Sequence, residues 1–354
     1  MKVKSLRLFI TSIFLLVLQV VGYYCLRFFP AKVESIYSIS IYPYIAKSMR
    51  FGLGWIPFSF GDIVYTGSIL LVIRWLWISK RDLITLSLQR YTQLFISINI
   101  ILALFHCMWG FNYYREPLHK VLNIEKEYTT EELQKVVLQF ADNSNRLHEL
   151  LQKTDSLPVA FSRSQHELFK LAPQGFEAIY TTYPTLDYGP ASIKESLLTI
   201  PLTYMGYSGY LNPLTGEAQT NAWINNYKTP VLTLHEMAHQ LGFAKENEAN
   251  FIAIIAGLYH KDLYFQYSAS IFALRYCLND LYRRDPAAYD RIRPMINDGI
   301  FKNYKEQEYF WKAYQGVVEE VSQVTYNAYL KANNQPDGMK SYSYVVALLV
   351  NYYK

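Results

Sequence analysis

Three apolar runs constrain this chain more than anything else in it. Leu8 to Phe28, Pro57 to Ile78 and Tyr91 to Phe111 are mainly apolar side chains, each about 20 residues long, the length a helix needs to cross a hydrocarbon layer of about 30 Å. A backbone crosses lipid only with its polar groups paired internally, so each run must be helical. Asp62 and Arg74 lie near the ends of the second run, where a charged side chain can reach the interface. Lys2, Lys4 and Arg7 precede the first run, which lacks the short apolar core and small-residue cleavage site of a removable signal. It therefore reads as a retained span. Pro30, Pro43, Gly52 and Gly54 make residues 29–56 an expected irregular loop.

Basic residues orient the spans. The N-terminal tail carries Lys2, Lys4 and Arg7, and the link after the second span carries Lys80, Arg81 and Arg90. Lys32, Lys47 and Arg50 in the loop between them are more dilute and are offset by Glu34. The denser basic segments belong in the cytoplasm, which places everything after Phe111 on the opposite side. Composition agrees with a membrane protein, at 51% hydrophobic and 18% charged, against roughly 25% charged in ordinary soluble domains. The net charge of +5 comes without a dense Lys/Arg block, so a nucleic-acid partner is excluded. Cys25, Cys107 and Cys277 have no metal-ligand spacing and suggest no disulfide scaffold.

Residues 112–354 read as a second, mostly helical domain with one small sheet. Thr129 and Glu132 fit a capping box opening a helix to about Gln152, with Leu133, Val136, Val137, Phe140, Leu147 and Leu150 on one stripe. Shorter helices are expected over 164–171 and 175–182. From Ala191 to Ala222 the texture turns β-prone, with strands expected at 192–196, 209–211 and 217–221. Asn212-Pro-Leu-Thr-Gly216 is the expected hairpin turn. The edge of such a sheet can hold an extended peptide by main-chain hydrogen bonds. After Glu246, helices are expected at 249–259, 267–284, 286–299, 302–332 and 341–353.

Between sheet and helices stands Thr229-Pro-Val-Leu-Thr-Leu-His235-Glu236-Met-Ala-His239-Gln-Leu-Gly242. Thr229 is placed to cap a helix beginning at Pro230. His235 and His239, one turn apart, point the same way. Two imidazoles on one face suit zinc, and Glu236 beside them suits the general base that acts on water. Val231, Leu232, Leu234, Met237, Ala238 and Leu241 surround the polar triplet, so unpaired it would be costly. Gly242 is a natural left-handed cap, after which the chain can reverse. In an antiparallel hairpin turned there, His239 faces Glu246 and His235 faces Asn250. Glu246 is then the third ligand and Asn250 hydrogen-bonds His235. Glu248 is the alternative, about 200° round the helix from Glu246.

Glu246-Asn-Glu-Ala-Asn250 resembles the Glu-x-x-Ala-Asp/Asn segment of gluzincin peptidases. That resemblance implies zinc binding by His235, His239 and Glu246, with Asn250 supporting them. Only six residues separate His239 from Glu246, far fewer than in those families. Gly242 resembles the glycine of metzincins, but Lys245 occupies the place of their third His. The chain as a whole resembles an uncharacterised bacterial family, number 3810 among the domains of unknown function. Trp109-Gly-Phe-Asn-Tyr-Tyr-Arg-Glu-Pro117, the segment from Gly206 to Gln219, and Lys340-Ser-Tyr342 carry that resemblance.

The expectation is a mainly α chain with a small sheet, an α+β zincin-like domain behind about three transmembrane helices (8–28, 57–78 and 91–111). Its expected function is zinc-dependent peptide hydrolysis on a peptide or protein substrate. Its expected location is the bacterial inner membrane, multi-pass, with the domain extracytoplasmic. The alternative is an inactive zinc-binding envelope protein that senses or binds a partner. His106, His119, His148 and His166 read as structural or solvated, and His260 reaches substrate only if its helix bends. Tyr204, Tyr207, Tyr210, Tyr342 and Tyr344 are candidates to stabilise an oxyanion.

Overall fold

A computed structural model of the chain describes residues 2–85, 87–224 and 226–354, the side chains of residues 2, 3 and 341–343 excepted. Three helices are long and apolar enough to cross a membrane: α1 (Lys2–Leu26), α3 (Phe60–Ile84) and α4 (Leu88–Met108). They match the expected spans to within a few residues, except that α1 begins six residues earlier, at Lys2, and α3 runs six residues further, to Ile84. α1 packs along α4, whereas α3 touches α4 little. The expected irregular loop between the first two spans is instead mostly helical. It holds a four-residue helix from Pro30, a π-helical segment over Glu34–Ile41, and α2 (Tyr42–Leu53). Pro43 sits in the first turn of α2, where its missing N–H costs no hydrogen bond.

The rest is mainly helical. α5 (Thr130–Leu151) begins at the expected capping box of Thr129 and Glu132. α6 (Lys228–Gln240) and α7 (Glu246–Leu258) form a hairpin packed on α8 (Leu263–Arg284). α9 (Asp298–Lys312) and α10 (Val317–Ala332) replace the single helix expected from 302 to 332. Gly316 stands between them with extended backbone, φ 173°, and the break re-aims α10. α11 (Val345–Tyr353) closes the core against α7 and α8. Apolar side chains of α5, α6, α7, α8 and α11 fill that core.

The sheet has three short strands, β1 (Ile193–Glu195), β2 (Gly209–Leu211) and β3 (Ala218–Thr220), in the order β1-β3-β2. β1 runs parallel to β3 and β2 antiparallel to it, with Tyr210 opposite Gln219. The turn 212–216 forms as expected. Gly216 donates to the Asn212 carbonyl at 2.8 Å, and Gly216 takes φ +66°.

The apolar helices and the sheet share polar anchors. The Glu217 carboxylate accepts the N–H groups of Phe60 and Gly61 at the start of α3, where the helix dipole favours an anion. Asp62 does not reach out to the interface. It is 1% exposed and accepts from Ser196 Oγ, Leu197 N–H and the Tyr210 hydroxyl. A second core spans both sides of the Phe111 boundary, joining Val33, Tyr37, Tyr42 and Trp109 to Tyr113, Tyr114 and Ala244.

Candidate metal centre

The α6–α7 hairpin builds the centre. Residues 229–240 of α6 are all buried. The helix starts two residues before Pro230, so Thr229 is not its cap. Asn226 Oδ1 accepts the Lys228 N–H at 2.9 Å, while Thr229 Oγ1 donates to the Ile224 carbonyl. At the other end Gly242 has φ +86°. Its N–H reaches the His239 carbonyl at 2.9 Å and the Phe243 N–H reaches Ala238 at 3.3 Å, the two bonds of a Schellman cap. A Cβ at Gly242 would lie 2.9 Å from both Asn112 Oδ1 and Tyr42. The reversal therefore requires glycine twice over, and it delivers Glu246 to the first turn of α7.

His235, His239 and Glu246 converge, with their ligand atoms all within 4.8 Å of one another. Glu246 Oε2 lies 3.1 Å from His235 Nε2 and 3.6 Å from His239 Nε2. Glu248 points elsewhere, accepting the Leu118 N–H at 2.9 Å and facing Lys245. Asn250 does not take the expected role. Among the described residues, His235 Nδ1 and Asn250 Nδ2 both lack hydrogen-bond partners. Asn250 is one turn deeper than Glu246, about 5.4 Å, and its shorter side chain lies beside Tyr276.

The donor set fits a divalent ion. His239 Nδ1 is 2.7 Å from the Phe243 carbonyl, which can only accept, so Nδ1 carries the proton. His239 Nε2 then presents a lone pair to the Glu246 carboxylate, and only a proton or a cation can lie between two such acceptors. Two imidazole nitrogens and one carboxylate oxygen are a zinc set with a coordination position left open. Burial opposes charge on His239, but the Glu246 carboxylate outweighs it and raises the pKa. Burial would raise Glu246, yet the two histidines hold it well below the carboxylate range. Burial pushes Glu236 up to about 8, and its Oε2 has no partner among the described residues. A dication nearby would pull Glu236 back towards its ionised form.

Side chains far away in sequence complete the centre. The Tyr326 hydroxyl on α10 donates to Glu246 Oε1 at 2.7 Å. The carbonyls at the end of α6 are met by groups from the membrane side: Trp109 Nε1 reaches His239 at 3.3 Å, Arg50 reaches Gln240 at 3.3 Å, and Arg115 reaches Gly242 at 3.0 Å. Arg115 also forms a two-bond pair with Glu34 and lies over the Phe243 ring. Two guanidinium groups at a helix C-terminus suit its dipole.

The centre opens into a cleft of about 1120 Å³. His235, Glu236, His239, Glu246 and Asn250 line it, together with Tyr207, Tyr210, Tyr276, Tyr326 and Tyr329. Of the tyrosines considered from sequence, Tyr207 and Tyr210 face the cleft. Tyr204 packs on Tyr314, Tyr344 is exposed, and the Tyr342 side chain lies outside the described residues. The remaining histidines are elsewhere. His106 bonds the Leu102 carbonyl in its own helix, His148 bonds Leu157, and His260 is buried against Phe265 between Leu171 and Asp262. Lys228 is the only lysine or arginine lining the cleft among the described residues, and burial lowers its pKa to about 8.

These observations define a protein with three membrane-length helices and a buried His–His–Glu cluster that can hold a metal. The chain belongs to the family described as "Protein of unknown function (DUF3810)", whose pattern matches residues 37–350. No curated protein and no solved structure matches it.

Proposed function

We propose that this protein is a membrane-anchored, zinc-dependent metallopeptidase of zincin-like architecture, with its helical domain on the extracytoplasmic face of a bacterial inner membrane. The observation that carries this reading is the convergence of His235, His239 and Glu246 beside Glu236, at the wall of an open cleft. His235, His239 and Glu246 would hold the ion. When bound, zinc supplies Lewis acidity towards water and towards a peptide carbonyl.

The protein's own groups do the rest. Glu236 accepts the proton of the attacking water and delivers it to the departing amine nitrogen. Gly209 makes room for that carboxylate, since a Cβ there would lie 2.8 Å from Glu236 Oε1. Gly209 also belongs to β2, an edge strand, which brings the scissile region of an extended peptide beside Glu236. Tyr326 fixes the Glu246 carboxylate, in the way that outer hydrogen bonds hold ligands in register.

The test is hydrolysis of a fluorogenic peptide pool by the full-length protein, with and without a zinc chelator. The proposal expects cleavage that is lost on chelation, restored by zinc, and absent in Glu236→Gln at unchanged zinc content. Equal cleavage by Glu236→Gln would refute it.

A further inference from the structure

The cleft does not end at the metal centre. Its wall continues over Tyr65, Thr66, Ile69 and Leu70 of α3, and over Phe105 and Trp109 at the end of α4. Tyr65, Thr66, Ile69 and Leu70 are spaced i, i+1, i+4 and i+5, so they form one face of the helix. Leu70 is ten residues into α3, about 15 Å along its axis. One wall of the cleft is thus a face of a membrane-length helix. Beside it, α3 touches α4 little.

The other end of the path is the free edge of β2. The Asn221 N–H donates to the Ser208 carbonyl at 2.8 Å, and the Asn212 N–H to Glu217 at 2.9 Å. Even-numbered residues therefore face β3, and the N–H and C=O groups of Gly209 and Leu211 face outward. The Tyr210 ring stacks on Tyr65, with 6.2 Å between centroids. A chain lying along this edge passes the metal centre at Gly209 and the α3 face at Tyr210. Thr66 is exposed on that face. Small residues on a lipid-facing helix let another helix approach closely.

The geometry points to a membrane protein as substrate, its transmembrane segment packed against the Tyr65–Leu70 face of α3 and its adjoining extended chain cut beside Gly209. This rests on the peptidase reading above, and it names the substrate class for that site. An acyl chain would fill the apolar wall equally well, but it would make no use of the outward N–H and C=O groups of Gly209 and Leu211 in the same cleft.

The test uses the full-length, zinc-loaded protein in lipid nanodiscs. One randomised fluorogenic peptide pool is presented free, joined to a polyleucine transmembrane helix, or N-palmitoylated. The helix-joined pool is expected to be cleaved at least about tenfold faster than the free pool, and faster than the palmitoylated one. Leu70→Trp should cut that advantage by about fivefold by overfilling the wall, whereas Ile78→Trp, lipid-exposed and outside the cleft, should preserve it. Equal rates for the free and helix-joined pools, equal rates for both anchors, or no effect of Leu70→Trp would overturn the inference. Loss of all cleavage in Glu236→Gln would still support the peptidase reading in those cases. If no pool is cleaved, the peptidase reading fails, and a photoreactive residue replacing Leu70 decides the docking alone. Capture of the helix-joined pool would support it, and capture of none would overturn it.

Discussion

The α6–α7 hairpin and the wall that faces it were assembled in opposite ways. The hairpin is local: His235, Glu236, His239, Gly242 and Glu246 fall within twelve residues, and one glycine-capped turn brings them together. The wall is remote. Thr66 and Leu70 come from α3, Trp109 from the end of α4, and Tyr326 from α10. The hairpin carries groups that can hold a metal, while on the proposed reading the wall decides what reaches them. Chemistry that needs atoms within a few ångströms was placed by short-range spacing. Selection over tens of ångströms was left to tertiary packing.

Substitutions can break that contrast. The largest effect should come from the hairpin, where Glu236→Gln is expected to lower peptide hydrolysis by on the order of a thousandfold, measured alongside zinc content, which should not fall. Next comes the joint between hairpin and membrane side. Arg115→Met strands the largely buried Glu34 carboxylate, whose partner is 2.6 Å away. Breaking such a pair costs about 3–5 kcal/mol, to be read as a lower unfolding temperature of the full-length protein. If stability is unchanged, the joint is not structural.

The wall should act on the centre more weakly. Tyr326→Phe removes the donor to Glu246 and should weaken zinc binding or activity by roughly 10- to 100-fold. Competition with a chromogenic chelator would report it, and an unchanged affinity would mean that α10 does not support the centre. The smallest effect is one of pH. Glu246 raises the pKa of His239, so in the metal-free protein that ring holds a proton that zinc must displace. Affinity should therefore rise with pH, by up to about tenfold per unit below that pKa. A flat profile would mean that His239 is already neutral without metal.

The sequence was legible where a spacing or a cap had one structural meaning. The three membrane-length helices, the capping box at Thr129, the turn at 212–216 and the left-handed Gly242 all form as their residues dictate. Choosing Glu246 over Glu248 needed only the angle between them on a helix, and the structure turns Glu248 towards Leu118. Legibility failed where a partner was distant. Arg50 read as a loop cation beside Gly52 and Gly54, yet it is buried at the end of α6, and nothing local signals the carbonyls it meets. Asp62 looked like an interfacial charge, because its partners lie more than 130 residues away. Tyr326 was one tyrosine among 32, and only the break at Gly316 carries it to Glu246. Asn250 misled for a different reason. It lies in the cleft one turn after Glu246, but it makes no hydrogen bond to His235 and sits beside Tyr276.

Zinc content of the full-length protein tests the central claim most directly, measured by metal analysis on wild type, Glu246→Ala and Glu248→Gln after dialysis against a weak chelator. The isolated domain after Phe111 would not serve, because it lacks Arg50 and Trp109. The account predicts that wild type and Glu248→Gln retain zinc while Glu246→Ala loses it. Zinc retained by Glu246→Ala as tightly as by wild type would contradict it.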